Sequence, residues 1–340
     1  MNSAQHNPQE EPPKKIRIAL FTVMGVGGIK TVGKVLAERP GTELALVVTS
    51  TGSRHRRSPA HIEVLEALYE EGHHNVDVIV SNKRSKYGDL CAMYDVDMII
   101  TVGFPWLLPK SLIEDPRIQY GAINFHNAAL PEGRGPNALG HAIMNGDTTM
   151  HFVYHRMAAD FDTGPILVRG QSHLGTNEHF DGLFLDLPLL AQMTHEAIDK
   201  VKAGDPGEAQ VGKGTHVPKF EPEFRWMNFN ESALHNHNKV RAFYGSRDIP
   251  KGALAKLFGK VICITKSRVD LDDVNDKENM RSTVSPGTIT FHEDKNSHFD
   301  IQCGDGVLHI LEWQESIQLQ EQLGARGFRV NAQTCLGTKF

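Results

Sequence analysis

The hydrophobic positions of this chain fall into two regimes. From residue 16 to about 204, short apolar runs alternate with stretches of helical period; beyond residue 223, short β-like runs are cut by turn residues. Residues 16–23 are apolar and β-branched almost throughout, as expected of a parallel strand covered on both faces. Residues 44–49, 76–80, 98–102 and 120–125 repeat that pattern. Between them, Ile29, Val32, Val35 and Leu36 follow helical spacing after a turn carrying Gly25, Gly27 and Gly28. Ser58 and Pro59 predict a helix start, with Ser58 as N-cap, and the helix runs to about Glu71. Another helix is expected over 87–94. Residues 137–145 read as a helix stopped by Gly146. Residues 151–154 and 166–168 read as two short strands bracketing the loop 160–164. Residues 183–203 read as a long amphipathic helix interrupted near its start by Pro188. This alternation predicts a doubly wound, mostly parallel α/β sheet over 16–204.

The segment 205–222 is rich in Gly, Pro and Lys and reads as a linker. A helix over 231–242 follows. Runs at 260–267, 288–291, 299–303 and 307–313, separated by turns such as Gly304-Asp305-Gly306, predict a small β-barrel within a second domain, 223–340. Residues 1–15 are polar and Pro-containing and read as a disordered arm. They have neither the apolar centre of a signal peptide nor the composition of a transit peptide.

A length of 340 residues fits two domains, and 40% hydrophobic with 23% charged residues is ordinary for a soluble globular protein. The net charge of −5 does not advertise nucleic acid. Locally, Lys239, Arg241, Arg247, Lys251, Lys256, Lys260, Lys266 and Arg268 stand against Asp248 alone, a stripe that could meet phosphates; an acidic stretch over 270–278 offsets it. Arg54, His55, Arg56 and Arg57 form a second basic cluster, read as a solvated loop or as a contact for acceptor phosphates. Cys91, Cys263, Cys303 and Cys335 have no paired spacing, which fits reduced packing thiols of a cytoplasmic protein. His73-His74 and His235/His237 lack metal-ligand spacing and read as solvated helix-end and helix-start residues; no metal is expected. No apolar run is long enough to span a membrane.

The chemistry concentrates in Asn124-Phe125-His126 and Asp162. Asn124 and His126 close a predicted strand, and open α/β sheets place their sites at such carboxyl ends. An amide and an imidazolium can stabilise a tetrahedral oxyanion, and a carboxylate can orient the imidazole and raise its pKa. Such a set runs acyl transfer without a covalent nucleophile. The loop Gly103-Phe104-Pro105-Trp106-Leu107-Leu108 follows another strand; its aromatic and apolar character suits a flat heterocycle.

The ordered set Asn124, His126, Leu130-Pro131, Arg134-Gly135 and Asp162-Thr163-Gly164, with Asp162 36 residues after His126, resembles the 10-formyltetrahydrofolate-dependent formyltransferases. The similarity continues through Phe229-Asn230-Glu231-Ser232, Lys239-Val240-Arg241-Ala242-Phe243, Pro286-Gly287-Thr288-Ile289 and Cys303-Gly304-Asp305-Gly306-Val307-Leu308, which resemble the C-terminal domain of the methionyl-tRNA formyltransferase branch. The resemblance implies 10-formyltetrahydrofolate as co-substrate, with Asn124, His126 and Asp162 catalytic. It implies Phe104, Trp106, Leu107, Leu108, Ala158, Ala159 and Asp160 as folate contacts. The acceptor is an amine, possibly borne by tRNA. The chain departs from the family at Asn127-Ala128, Gly133 and Pro136-Asn137, beside the acceptor side of the site. An amino sugar nucleotide, another small amine or water therefore stay open as acceptors, as does a non-catalytic tRNA- or folate-binding relative.

Overall fold

The computed structural model describes residues 14–51, 60–178, 186–244, 252–257, 260–270, 284–293 and 298–315. The cluster Arg54–Arg57, the predicted cap Ser58-Pro59, Arg247, Lys251, the acidic stretch after Asp270 and Cys335 lie outside the described residues, as does nearly all of the predicted arm.

The first sheet has seven strands: β1 Ile16–Thr22, β2 Thr42–Thr49, β3 Asp77–Val80, β4 Met98–Val102, β5 Ala122–His126, β6 Thr149–Arg156 and β7 Ile166–His173. Their order is β3-β2-β1-β4-β5-β6-β7, parallel through β5, with β6 and β7 added antiparallel. Successive residues of a strand face opposite sides of a sheet. In β1, Ile18 and Leu20 therefore join one core while Ala19 and Phe21 join the other, all fully buried. That two-sided burial is why the strand sequence is continuously apolar.

A wide helical turn, Gly25–Gly33, runs into α1 Lys34–Glu38; α2 Ala60–Glu70, α3 Tyr87–Met93, α4 Lys110–Ile113 and α5 Ala138–Met144 follow. α6 is Leu187–Lys202, capped by Asp186, whose carboxylate accepts from the Leu189 N–H. Pro188 sits in the first turn, where it has no bond to break; it starts the helix and does not interrupt it. The strand order reverses between β1 and β4, the place where open α/β sheets bind their ligands. The loops leaving these strands touch closely: Gly103 has φ +59°, and a Cβ there would lie 2.1 Å from the Met24 sulfur.

The second unit holds α7 Ala233–Tyr244 and five antiparallel strands: β8 Ala253–Leu257, β9 Lys260–Arg268, β10 Ile289–Glu293, β11 His298–Gln302 and β12 Val307–Glu315. Their order, β10-β11-β12-β9-β8, makes a curled half-barrel. β8 escaped the sequence reading: Ala253 and Ala255 carry little β propensity, and the strand forms because they pack in the core beside Ile262 and Ile264.

α7 joins the two units. Arg241, 2% exposed, donates to the carbonyls of Gly175 and Glu178 and to Asn238 Oδ1, and burial holds its guanidinium down to about 10. His237 is fully buried, bonded to Ser267 Oγ and the Thr176 carbonyl, where the sequence suggested a solvated ring. Asn177 and Val269 exchange hydrogen bonds across the same junction.

Candidate active site

β5 delivers Asn124 and His126 to one face because residues two apart on a strand point the same way. β6 runs antiparallel beside it and sets His155 opposite Asn124. Asp162 arrives on the turn between β6 and β7. It has φ +55°, and the turn hugs the sheet so closely that a Cβ at Gly164 would lie 1.8 Å from the Arg156 carbonyl oxygen.

Three side chains converge on one oxygen. Asp162 Oδ1 lies 3.4 Å from Asn124 Nδ2, 3.7 Å from His126 Nδ1 and 3.5 Å from His155 Nε2. Asp162 Oδ2 accepts the Gly135 N–H at 3.0 Å. The structure thus brings Asn124, His126 and Asp162 together, and adds His155, which sequence reasoning missed. No local signal marked it: His155 is placed opposite Asn124 by strand register, and at 2% exposure it needs polar partners.

The tautomers follow from the partners. His126 Nε2 faces the Gly133 carbonyl at 3.0 Å, and His155 Nδ1 faces the Arg156 carbonyl at 2.8 Å. A carbonyl only accepts, so these nitrogens carry the protons. In the neutral rings, His155 Nε2 is then left to accept from Asn124 Nδ2 at 3.1 Å. Thr101 Oγ1 donates to Asn124 Oδ1 at 2.5 Å, which fixes the amide's orientation.

Burial lowers the His126 pKa below its usual 6.5, outweighing the opposing pull of Asp162 and of the Gly133 carbonyl; His155 adds to the lowering. The expectation of a carboxylate-raised imidazolium is therefore corrected: the ring is neutral at neutral pH, because Asp162 Oδ1 is too distant to offset desolvation. Burial pushes Asp162 up, but the His155 ring, His126 and the Gly135 N–H together hold it below the usual carboxylate range.

The loop after β4 lies beside this cluster's sheet end. Phe104 is half-buried, edge-on to Phe21 and Tyr87, and Trp106 is 36% exposed. Leu107 is half-buried, whereas the Leu108 side chain is packed in the core with Leu112 and Ile118. Ala158 is half-buried, and Ala159 and Asp160 are exposed.

The segment 205–217 returns across the site. Glu208 bridges to Ile166 and His216 to Arg134. Gln210 Nε2 donates to the carbonyls of Asp162 and Gly164, both at 2.8 Å, and its Oε1 accepts from Arg134 Nε at 3.1 Å and Nη2 at 2.6 Å.

At least five of the eight cations of the basic stripe have partners inside the protein. Lys239 is buried, donating to the Trp226 carbonyl and lying over the Phe224 ring, and burial lowers its pKa. Arg241 is spent on the carbonyls named above. Lys260 pairs with Glu315, Lys266 with Glu312 and Arg268 with Asp270. Among the described residues no group of three His, Cys, Asp or Glu could hold a metal, and no helix is long and apolar enough to cross a membrane.

The chain is similar to known proteins over most of its length. The model of the formyl transferase family matches residues 45–181, and that of the formyl transferase C-terminal domain matches 219–322. The methionyl-tRNA formyltransferase of Lachnospira eligens is 28% identical over 305 residues, 87% of this chain and 93% of that protein. The GDP-perosamine N-formyltransferase of Brucella melitensis is 31% identical over 171 residues, 50% of this chain and 64% of that protein. The solved structure of HypX from Aquifex aeolicus shares the fold, with a TM-score of 0.59 and 17% identity over 89% of this chain; this chain spans 46% of it. The chain belongs to the formyl transferase family and is an enzyme that moves formyl groups.

Proposed function

We propose that this enzyme takes its formyl group from 10-formyltetrahydrofolate and passes it to an amine, with Asn124, His126 and Asp162 as the reacting set. The observation that carries the reading is the convergence of the Asn124 amide and the His126 ring on Asp162 Oδ1 at the carboxyl end of β5. The folate lies against Phe104, Trp106, Leu107, the backbone of Leu108, and the backbone over Ala158, Ala159 and Asp160.

The amine nitrogen attacks the formyl carbon, and the carbonyl oxygen becomes an oxyanion. Asn124 Nδ2 turns one N–H to that oxygen; the N–H held at 3.4 Å by Asp162 has the least to lose. Such a donor is worth about 10²–10³ in rate. Neutral His126 has its lone pair at Nδ1, because Nε2 carries the proton. Nδ1 takes the amine proton, Asp162 offsets the charge formed, and the proton passes to N10 of tetrahydrofolate as the C–N10 bond breaks. No acyl-enzyme is needed.

The first reading of the acceptor is methionyl-tRNA, supported by the second family model and by the near full-length similarity to a methionyl-tRNA formyltransferase. The second is a small amine such as an amino sugar nucleotide, favoured by the pairing of Lys260, Lys266 and Arg268 with carboxylates and by the Brucella relative.

The test is loss of 10-formyltetrahydrofolate by wild type and Asn124→Ala, with methionyl-tRNA, with amino sugar nucleotides, or with no acceptor. Turnover only with charged tRNA supports the first reading, and turnover only with the small amine the second. Formate release without any amine makes the protein a hydrolase. Wild type no faster than Asn124→Ala overturns the catalytic assignment.

A further inference from the structure

The reacting set is fixed from behind by a segment outside the β-sheet. Asp162 holds a left-handed backbone, φ +55°, which a non-glycine residue keeps only where its surroundings enforce it. One side chain outside the turn grips it directly. Gln210 Nε2 spends one N–H on the Asp162 carbonyl and one on the Gly164 carbonyl, gripping the turn on both sides of Thr163. The Gln210 oxygen is filled by two N–H groups of Arg134, so the amide can be read in only one orientation. Arg134 Nη1 donates further along the same segment, to the Lys213 carbonyl at 3.3 Å.

The same segment reaches the other catalytic residue through Gly133. Thr215 Oγ1 accepts the Gly133 N–H at 2.8 Å, the Gly133 carbonyl accepts from His126 Nε2, and Arg134 exchanges backbone bonds with Thr215 and Val217. Its approach leaves no slack: a Cβ at Gly214 would lie 2.3 Å from the Pro131 oxygen, and one at Gly135 2.7 Å from the Val217 oxygen.

We propose that residues 208–217 are a positioning strap for the formyl-transfer site, in which Gln210 fixes the carboxylate of Asp162 and Arg134 acts through Gln210. The inference rests on the function proposed above. Gln210 touches no reacting atom; it decides where Asp162 Oδ1 stands relative to His126 Nδ1 and Asn124 Nδ2. A shift of about 1 Å in such a set costs on the order of 10²-fold in rate.

The experiment uses the full chain with whichever acceptor supports wild-type turnover. It measures kcat and tetrahydrofolate affinity for Gln210→Met, Arg134→Met, the double variant and Asp162→Asn. Gln210→Met keeps the side chain's length and removes every hydrogen bond. The expected result is a kcat lowered about 10- to 100-fold with folate affinity within about threefold, and a double variant no slower than Gln210→Met. A kcat within twofold of wild type overturns the proposal, as does a parallel loss of kcat and folate affinity. Multiplying losses in the double variant overturn the part that routes Arg134 through Gln210. If Gln210→Met does not fold, Arg134→Met must still lower kcat with binding intact, and full activity there overturns the proposal. The control separates the two claims. Asp162→Asn at wild-type speed refutes the site itself, whereas an inactive Asp162→Asn beside a fully active Gln210→Met refutes only the strap.

Discussion

Asn124 on β5 and His155 on β6 are directly opposed residues of an antiparallel pair, and their side chains meet with Nδ2 and Nε2 3.1 Å apart. The contact polarises a chain of donors: Thr101 hydroxyl to Asn124 oxygen, Asn124 amide to His155, His155 Nδ1–H to the Arg156 carbonyl. In the proposed mechanism, its consequence is that the amide enters the reaction already aimed. His155→Leu leaves one Asn124 N–H without its acceptor and should lower kcat about tenfold, since a misaimed oxyanion donor loses part of the ~10²-fold such donors supply. Folate affinity should hold. His155→Gln, which can offer an oxygen to the same N–H, should recover part of the loss. Steady-state kinetics of both variants with a thermal melt check this, and a His155→Leu enzyme at wild-type kcat would show that the amide needs no such support.

His126 makes a pH prediction. Burial depresses its pKa below 6.5, so the folded protein keeps the ring neutral where the unfolded chain already takes up a proton. The stability tied to the neutral ring is therefore complete above the unfolded value and is lost as pH falls through 6.5 toward the lower folded value. In the proposed mechanism activity has the same sign, because Nδ1 must be free to accept. The acid limb of kcat should have its midpoint below 6.5. Asp162→Asn, which removes the charge favouring protonation, should move the ring titration lower still. Ring-proton NMR titration of wild type, Asp162→Asn and His126→Gln reads this directly, and a midpoint above 6.5 would sink it.

Much of this was legible in the sequence, for reasons that differ by residue. The inner strands β1, β2 and β4 announced themselves because burial on both faces demands continuous apolar runs, and Asn124 with His126 fell at a strand end. The partners of those residues did not show. His155 stands opposite Asn124 through strand register, which no local pattern encodes. Gln210 sits in a Gly- and Pro-rich stretch that composition marks only as a connector, yet its bonds run to residues 76, 48 and 46 positions away. The sign of the His126 shift was misread because a carboxylate nearby in the motif says nothing of distance, and desolvation decides the balance. The basic stripe counted charges without their destinations, and Lys239 and Arg241 turned out to be interior donors.

That last point predicts stability effects. Arg241→Ala strips donors from the Gly175 and Glu178 carbonyls and from Asn238 at once, in a site 2% exposed. Hydrogen bonds from a charged group to buried acceptors are worth about 1.5–3 kcal/mol each, and the losses do not add fully, so a cost of about 3–5 kcal/mol is expected. Arg268→Ala, which removes an exposed pair with Asp270, should cost under about 1 kcal/mol. Urea unfolding of the two variants gives the comparison; equal losses would mean that Arg241 does not tie the two units together.

Gly135 combines a left-handed backbone, a close approach and a hydrogen bond to the site. Its φ is +101°, its N–H donates to Asp162 Oδ2, and a Cβ there would lie 2.7 Å from the Val217 oxygen and 2.8 Å from His216 Nε2. Gly135→Ala must therefore both leave a backbone region that L side chains avoid, at about 1–3 kcal/mol, and push the strap outward. The second effect matters more for the reaction. The displaced N–H no longer anchors Oδ2, and Asp162 Oδ1 drifts from His126 and Asn124. The loss of kcat should then exceed what the change in stability accounts for. Measured well below the variant's melting temperature, turnover should fall by at least about tenfold. Gly146→Ala, with a comparable φ of +83° but its nearest neighbour at 3.6 Å and no bond to the site, should lose stability alone. If the two variants lose activity equally, the loss comes from backbone strain and the Gly135 hydrogen bond has no part in holding the carboxylate.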